Sequence, residues 1–239
     1  MEHDHSREAI RKRLASGPRM SYLRDWIYGG IDGTVTTFAV VSGVVGASFS
    51  PVVILVLGFA NLLADGFSMA ASNYSGTSAE REEIKQLREI EQRHICEDPE
   101  GEREEVRQIY QSKGFDGADL EKIVGVLTAD SERWVRTMLT EEYGLPQEVR
   151  SPIWAAFSTF SAFVVCGFVP IVPFLLEWSN AFAASAIATG VVFFVIGAIK
   201  SKWSPTAWWK SGLETLAIGV AAAVLAYAMG RLLRGAFDL

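Results

Sequence analysis

The chain has 239 residues, of which 49% are apolar and 21% are charged, and its formal net charge is −6. The positive mean hydropathy is too high for an average soluble domain, and no nucleic-acid partner is expected. Apolar and charged residues must therefore lie in separate parts of the chain.

The first 25 residues form a charged arm that contains six basic side chains and no apolar core. A cleavable signal peptide needs such a core, so none is predicted. Since basic residues flank transmembrane helices mainly on the cytoplasmic side, we expect the arm 1–25 to be cytoplasmic.

Five windows of mainly apolar residues follow the arm, each about 20 residues long and able to cross roughly 30 Å of hydrocarbon as a helix. The sequence therefore predicts five transmembrane helices, at 27–47, 51–76, 153–176, 180–199 and 212–233.

Residues 78–150, between the second and third predicted spans, hold 19 of the 28 acidic residues and only 11 basic ones. The loop 200–210 contains three lysines and no acid, so it should lie on the cytoplasmic side together with the arm and the acidic insert. The predicted fold class is all-α: an integral, multi-pass membrane protein with an acidic cytoplasmic helical insert. Its predicted regions are the arm 1–25, two spans in 26–77, the insert 78–150 and three spans in 151–239.

The insert has the composition and turn residues of four helices. No helix breaker separates the first of them from the second span, so one long helix is expected to run through both. Pro99 and Gly101 mark a turn, and Gly114 and Gly144 end the second and fourth helices. Trp134, Met138 and Leu139 are predicted to be buried in the fourth helix.

Two pairs of potential metal ligands flank that turn. Glu91 and His94 precede it, Glu102 and Glu105 follow it, and a spacing of three places the members of each pair on one helix face. Two antiparallel helices would bring these four side chains together as a site for Fe²⁺ or Mn²⁺. A solvated acidic face without a ligand explains the same spacing and stays an alternative.

Ionisable residues also occur inside the predicted membrane helices. Asp32 lies in the first span, and Asn61, Asp65 and Met69 follow one another at intervals of four in the second. An acid at the centre of a span costs on the order of 2.5–3.5 kcal/mol and usually faces an internal path. A polar contact that only holds helices together is the alternative.

Several motifs in chain order resemble the vacuolar iron transporter family. They are IDG in the first span, ADGFSMAASNY leading into the acidic helix, W-x-x-x-M-x-x-x-E ending at Glu142, and G-x-V-P-x-x-P from Gly167 to Pro173. The resemblance covers nearly the whole chain from about residue 20.

The resemblance implies a homodimeric exporter that moves Fe²⁺, and often Mn²⁺, out of the cytosol in exchange for protons. The path would lie between the first two spans at the dimer interface, with Asp32 and Met69 as ligands. No resident cofactor is required, and Fe²⁺, Mn²⁺, Co²⁺ or Zn²⁺ are candidate cargo. The implied ligands of the insert are Glu91, Glu102, Glu105, Met138 and Glu142.

Two positions depart from the family pattern. His94 stands where the plant type has Glu, and Asn61 stands where it has an acid in the second span. Asp65, one turn after Asn61, is on the same face and could restore the carboxylate. We further expect Gly29, Gly30 and Gly33 to let two copies of the first span approach each other.

Two other functions remain open from the sequence. A membrane-anchored ferroxidase would use the E-x-x-H and E-x-x-E motifs of the insert, although di-iron sites of this kind have two E-x-x-H motifs. A metal sensor would bind metal and move none. Short loops and the absent transit peptide favour a bacterial inner membrane over an organelle.

Overall fold

The computed structural model describes residues 4–15, 20–146, 149–203 and 205–237 of the chain. All regular secondary structure in these residues is helical, and they contain no β-strand. They form two compact units, one of residues 1–20 and 76–151 and the other of residues 21–75 and 152–239. Of the predicted arm, residues 1–3 and 16–19 lie outside the described residues.

The second unit contains the long apolar helices. Five helical stretches of the described residues are long and apolar enough to cross a membrane. They are α2 (Leu23–Gly46), α3 (Pro51–Glu97), the segment Pro152–Leu175, the segment Ala181–Trp203 and α10 (Trp208–Phe237). Helix α3 has 47 residues without interruption, which confirms the prediction of one continuous helix through the second span and the start of the insert.

The third predicted span is not one regular helix. It consists of α7 (Pro152–Phe168), a 3₁₀ turn (Val169–Ile171) and the short α8 (Val172–Leu175). Pro170 and Pro173 cause the break, because neither has an N–H for the helical hydrogen bond and each ring crowds the preceding turn. The hydroxyl of Ser185, on α9 (Ala181–Lys200), donates to the Pro170 carbonyl at 2.7 Å.

Helices α2 and α7 lie very close because glycines form their contact. A Cβ atom on Gly29 would lie 2.1 Å from the Thr159 carbonyl oxygen, and one on Gly33 would lie 2.3 Å from the Phe163 carbonyl oxygen. Gly30 instead faces the side chains of Ile196 and Cys166 of the same chain. The expectation that these glycines bring two copies of the first span together is therefore wrong, since this chain's own helices occupy the space.

The other unit is built from α1 (Arg7–Ala15), the later part of α3, α4 (Pro99–Ser112), α5 (Gly117–Thr128) and α6 (Ser131–Glu141). Asp98 caps α4 by accepting a hydrogen bond from the Gly101 N–H at 3.0 Å. Gly114 and Gly144 have φ of +92° and +66°, the left-handed conformation that ends helices.

The apolar core of this unit joins α4, α5 and α6. The buried residues are Val106, Leu120, Val124, Trp134 and Met138. Trp134, Met138 and Leu139 are all buried, which confirms their prediction. Ile95 of α3 packs against this core, so the core helps to position α3 and α4, which carry four of the candidate ligands.

Candidate metal-binding sites

Three predicted ligands meet where α3 passes into α4. His94 Nδ1 lies 3.4 Å from Glu102 Oε1 and 3.8 Å from Glu91 Oε1. Asp98 alone separates the two helices, so the end of α3 and the start of α4 are held together by one capped turn. The i, i+3 spacing and the short turn thus place carboxylates of both helices against a single imidazole.

The two glutamates of this group are buried. The side chain of Glu91 is 1% exposed and that of Glu102 is 7% exposed, whereas His94 is 45% exposed. The Oε2 atoms of Glu91 and Glu102 are buried without a hydrogen-bond partner. A buried carboxylate oxygen without a donor is costly, so both atoms have an unmet demand for a proton or a cation.

The charges of Glu105 and Glu142 belong to the same group. Burial, followed by the charges of Glu91 and Glu105, raises the pKa of Glu102 to about 7. The same causes, in the same order, raise the pKa of Glu142 above its usual range. His94 opposes both shifts. The acids therefore repel one another, and a cation between them would remove that repulsion.

Together these four carboxylates and one imidazole offer ligands for a hard or borderline divalent ion. No three His, Cys, Asp or Glu side chains in the part of the chain that the structure describes are already placed to share one ion. Acids that repel each other are expected to stand apart, so their side chains would have to rotate for the oxygens to converge. Carboxylate oxygens and an imidazole nitrogen are the kind of donors that a divalent transition-metal ion accepts.

Tyr143 is a member of the group that the sequence analysis missed. Its hydroxyl donates to Glu91 Oε1 at 3.0 Å. Burial, together with this hydrogen bond, raises the pKa of the Tyr143 phenol. Its position directly after Glu142 could have suggested it, although nothing in the spacing points to Glu91 as its acceptor.

Met138 differs from the other predicted ligands of the insert. Its side chain is fully buried in the apolar core beside Val106, Leu120, Val124 and Trp134. Glu142, one turn later, donates its backbone N–H to the Met138 carbonyl at 2.9 Å. The structure therefore brings Glu91, His94 and Glu102 together. Glu105 and Glu142 are near enough for their charges to act on this group, whereas the Met138 side chain lies in the core.

In the apolar unit, Asp32 of α2 and Asp65 of α3 are close enough for their charges to interact. Both side chains are partly buried. Two acids on neighbouring apolar helices would repel each other unless a proton or a cation lies between them. Asp65 is thus near Asp32 although Asn61 stands at the family's acidic position.

Asn61 and Met69 have other contacts. The Asn61 amide donates to the hydroxyls of Thr36 and Thr37, both at 3.1 Å, so it joins α3 to the turn of α2 that follows Asp32. Met69 packs against the apolar cluster that includes Leu62, Phe163 and Ile171. Of the four predicted path residues, Asp32 and Asp65 are near enough for their charges to act on each other. Asn61 contacts the next turn of α2, and Met69 packs against an apolar cluster.

Asp25 is a buried acid that the sequence analysis did not single out. It lies in the first turn of α2 and is 4% exposed. The Asn73 amide donates to Asp25 Oδ1 at 3.0 Å and to Thr159 Oγ1 at 2.7 Å. This network joins α2, α3 and α7, and its residues lie too far apart in the chain for local spacing to reveal it.

A family model described as the VIT family matches residues 23–231. The chain belongs to the VIT family. Among its relatives, the vacuolar iron transporter of Toxoplasma gondii is 32% identical over 228 residues, covering 89% of this chain and 74% of that protein. Vacuolar iron transporter 1 of Arabidopsis thaliana is 28% identical over 215 residues, covering 89% of this chain and 86% of that protein.

The family match includes the apolar helices and the acidic segment between them. This member of the VIT family is therefore a multi-pass membrane protein with several long apolar helices. The family resemblance predicted from the motifs is confirmed. The roles of individual residues stay predictions, because similarity over the chain does not by itself assign a ligand.

Proposed function

We propose that this protein moves Fe²⁺ across a membrane and out of the cytosol in exchange for protons, with Mn²⁺, Co²⁺ and Zn²⁺ as further candidate cargo. The relatives in Toxoplasma gondii and Arabidopsis thaliana are named vacuolar iron transporters and match 89% of the chain. The export direction is the one that the family resemblance implies, and the proton exchange is proposed from the Asp32 and Asp65 pair.

In the proposed topology five helices span the membrane. The basic arm, the acidic insert 78–150 and the loop 200–210 lie in the cytosol, as the positive-inside rule favours for the arm and the loop. Two copies form the working unit through their first two spans. The relatives' names point to an organelle, so a preference for the bacterial inner membrane gains no support from them.

The acidic insert captures the ion in this proposal. Glu91 and Glu102 each have a buried oxygen without a partner, and His94 lies between them at 3.8 and 3.4 Å. Glu105 and Glu142 add negative charge to the same region. A divalent ion satisfies the oxygens and relieves the repulsion, so capture raises its local concentration beside the membrane.

The transport proposal is carried by the presence of two partly buried acids, Asp32 and Asp65, near each other on otherwise apolar helices. When an ion enters between the two acids, it replaces the proton that otherwise relieves their repulsion, and that proton leaves. When the ion departs, a proton returns. Metal and proton movements in opposite directions follow from this one pair, and Asn61 holds the adjacent turn of α2 through Thr36 and Thr37.

Substitution of the pair tests the proposal. The full-length protein is reconstituted into sealed vesicles, and Fe²⁺ uptake is compared for the wild type, Asp32→Asn and Asp65→Asn. We expect both variants to lose most of their uptake while they insert and fold normally. Glu177→Gln, in the exposed connection between α8 and α9, should transport like the wild type. Wild-type uptake by Asp32→Asn would reject the proposal.

The two rival functions predict different results. A ferroxidase would consume O₂ when Fe²⁺ is added, and a sensor would bind Fe²⁺ without moving it. The names of the relatives describe transporters and not oxidases, so the enzyme alternative is not favoured. Oxygen consumption measured on the same vesicles separates it from transport directly.

A further inference from the structure

A cavity lies at one end of the apolar unit, where α2 begins and α9 ends. Its volume is about 460 Å³, within the usual size range of small-molecule sites. It is lined mainly by Leu23, Arg24, Ile27, Tyr28, Lys200 and Trp203. These residues are distinct from the candidate metal ligands of the insert and from Asp32 and Asp65.

The charges at this cavity favour an anion. Arg24 has no ion-pair or hydrogen-bond partner in the part of the chain that the structure describes. Lys200 lies 3.4 Å from Glu214, but both side chains of that pair are well exposed, at 39% and 62%. An exposed pair contributes little, so the lysine is available to a second anion. A guanidinium and an ammonium beside one cavity suit a phosphate group.

The other walls favour a lipid as the source of that phosphate. Leu23 and Ile27 contribute apolar surface. Tyr28 and Trp203 are 59% and 56% exposed, which is typical of aromatic residues at the boundary between lipid and water. Basic cavities between transmembrane helices at the cytoplasmic face commonly bind anionic headgroups. Free phosphate would use the two cations but not the apolar walls.

We propose that this cavity binds the headgroup of an anionic phospholipid, with the phosphate between Arg24 and Lys200 and the upper acyl chain along Leu23 and Ile27. Arg24 precedes Asp32 by eight residues on α2, or about 12 Å along the helix axis. The bound lipid would thus anchor the end of the helix that carries the proposed path acid. The cavity and its chemistry are independent of which ion the protein moves.

Native mass spectrometry of the full-length protein tests the proposal. Phosphatidylglycerol is titrated into delipidated protein in a neutral detergent, and the apparent Kd of the first bound lipid is measured. Arg24→Gln with Lys200→Gln should weaken binding by roughly 25-fold, at about fivefold per charge near an anionic lipid. Arg24→Lys with Lys200→Arg should retain most of the affinity, and phosphatidylcholine should bind weakly to all forms.

A matched control separates a specific cavity from general attraction. Lys202→Gln with Lys210→Gln removes two charges from the same loop region outside the cavity and should leave the affinity near that of the wild type. An equal loss in the control, or a loss in the charge-retaining pair as large as in the glutamine pair, would overturn the proposal. Inorganic phosphate that competes at concentrations comparable to the lipid would instead indicate a free-anion site and reject a lipid.

Discussion

Gly33→Ala tests the close packing of α2 on α7 that places Asp32 within the apolar unit. A Cβ atom at Gly33 would lie 2.3 Å from the Phe163 carbonyl oxygen and 2.8 Å from its Cα atom. Both atoms are backbone, so no side chain can rotate away. Ordinary contact begins at 3.4 Å, and α2 and α7 must therefore separate by about 1 Å locally, against a close-packed interior.

The expected cost follows from two opposing terms. An alanine in a helix interior is favoured over glycine by roughly 0.5–1 kcal/mol, whereas overpacking of a tight contact costs typically 1–3 kcal/mol and occasionally more. For Gly33→Ala the second term is near its upper limit because the clash is with backbone. We expect a net loss of about 1–3 kcal/mol in the free energy of unfolding, and a lower transport rate because Asp32 is the adjacent residue.

Gly43→Ala is the matched control on the same helix. Its nearest neighbour would be the Ala226 carbonyl oxygen at 3.6 Å, an ordinary contact, so this variant should be as stable as the wild type or slightly more stable. Thermal unfolding of both variants in detergent, followed by the loss of the monodisperse chromatographic peak, measures the difference. Equal melting temperatures for the two variants would show that the contact of α2 with α7 is not as tight as described.

Three further outcomes are expected from other contacts. In the folded protein the pKa of Glu102 is raised to about 7, so the unfolded chain loses this proton at a lower pH than the folded one. The metal-free protein should therefore lose on the order of 1–3 kcal/mol of unfolding free energy between pH 5 and pH 8. Added Fe²⁺ should restore it, and thermal unfolding at the two pH values measures both effects. Tyr143→Phe removes the hydroxyl that donates to Glu91 and competes with an ion for that oxygen. Calorimetry on the full chain should therefore find Fe²⁺ bound roughly fivefold more tightly, and weaker binding would contradict this. Asn73→Leu leaves Asp25 without one donor and should destabilise the fold by about 1–3 kcal/mol; an unchanged melting temperature would show that the buried network is unimportant.

The parts of the fold that follow from local patterns could be predicted from the sequence. Apolar windows and the unbroken composition after residue 76 indicated α3 as a single helix, and Gly114 and Gly144 indicated helix ends. The convergence of His94 and Glu102 followed from i, i+3 spacing on both sides of a short turn. Each of these inferences depends on residues close together in the chain, where helix geometry relates sequence position to direction.

The contacts that were missed join distant segments. Gly29 and Gly33 marked a close helix contact, but the partner, Thr159 and Phe163 of α7, lies about 130 residues later in the chain. The buried Asp25 and the Tyr143 hydroxyl likewise find their partners on other helices. Met138 matched a ligand motif, yet its apolar character was equally consistent with the core position that the structure describes.

Metal and proton movement measured together tests the central claim most directly. The wild-type protein is sealed into vesicles with a pH dye and an iron indicator inside, and Fe²⁺ is added outside under an imposed proton gradient. The proposed exchange predicts iron entry accompanied by proton exit, with both signals abolished in Asp32→Asn. Iron that binds to the vesicles without entering, or that enters without any proton movement, would contradict the account.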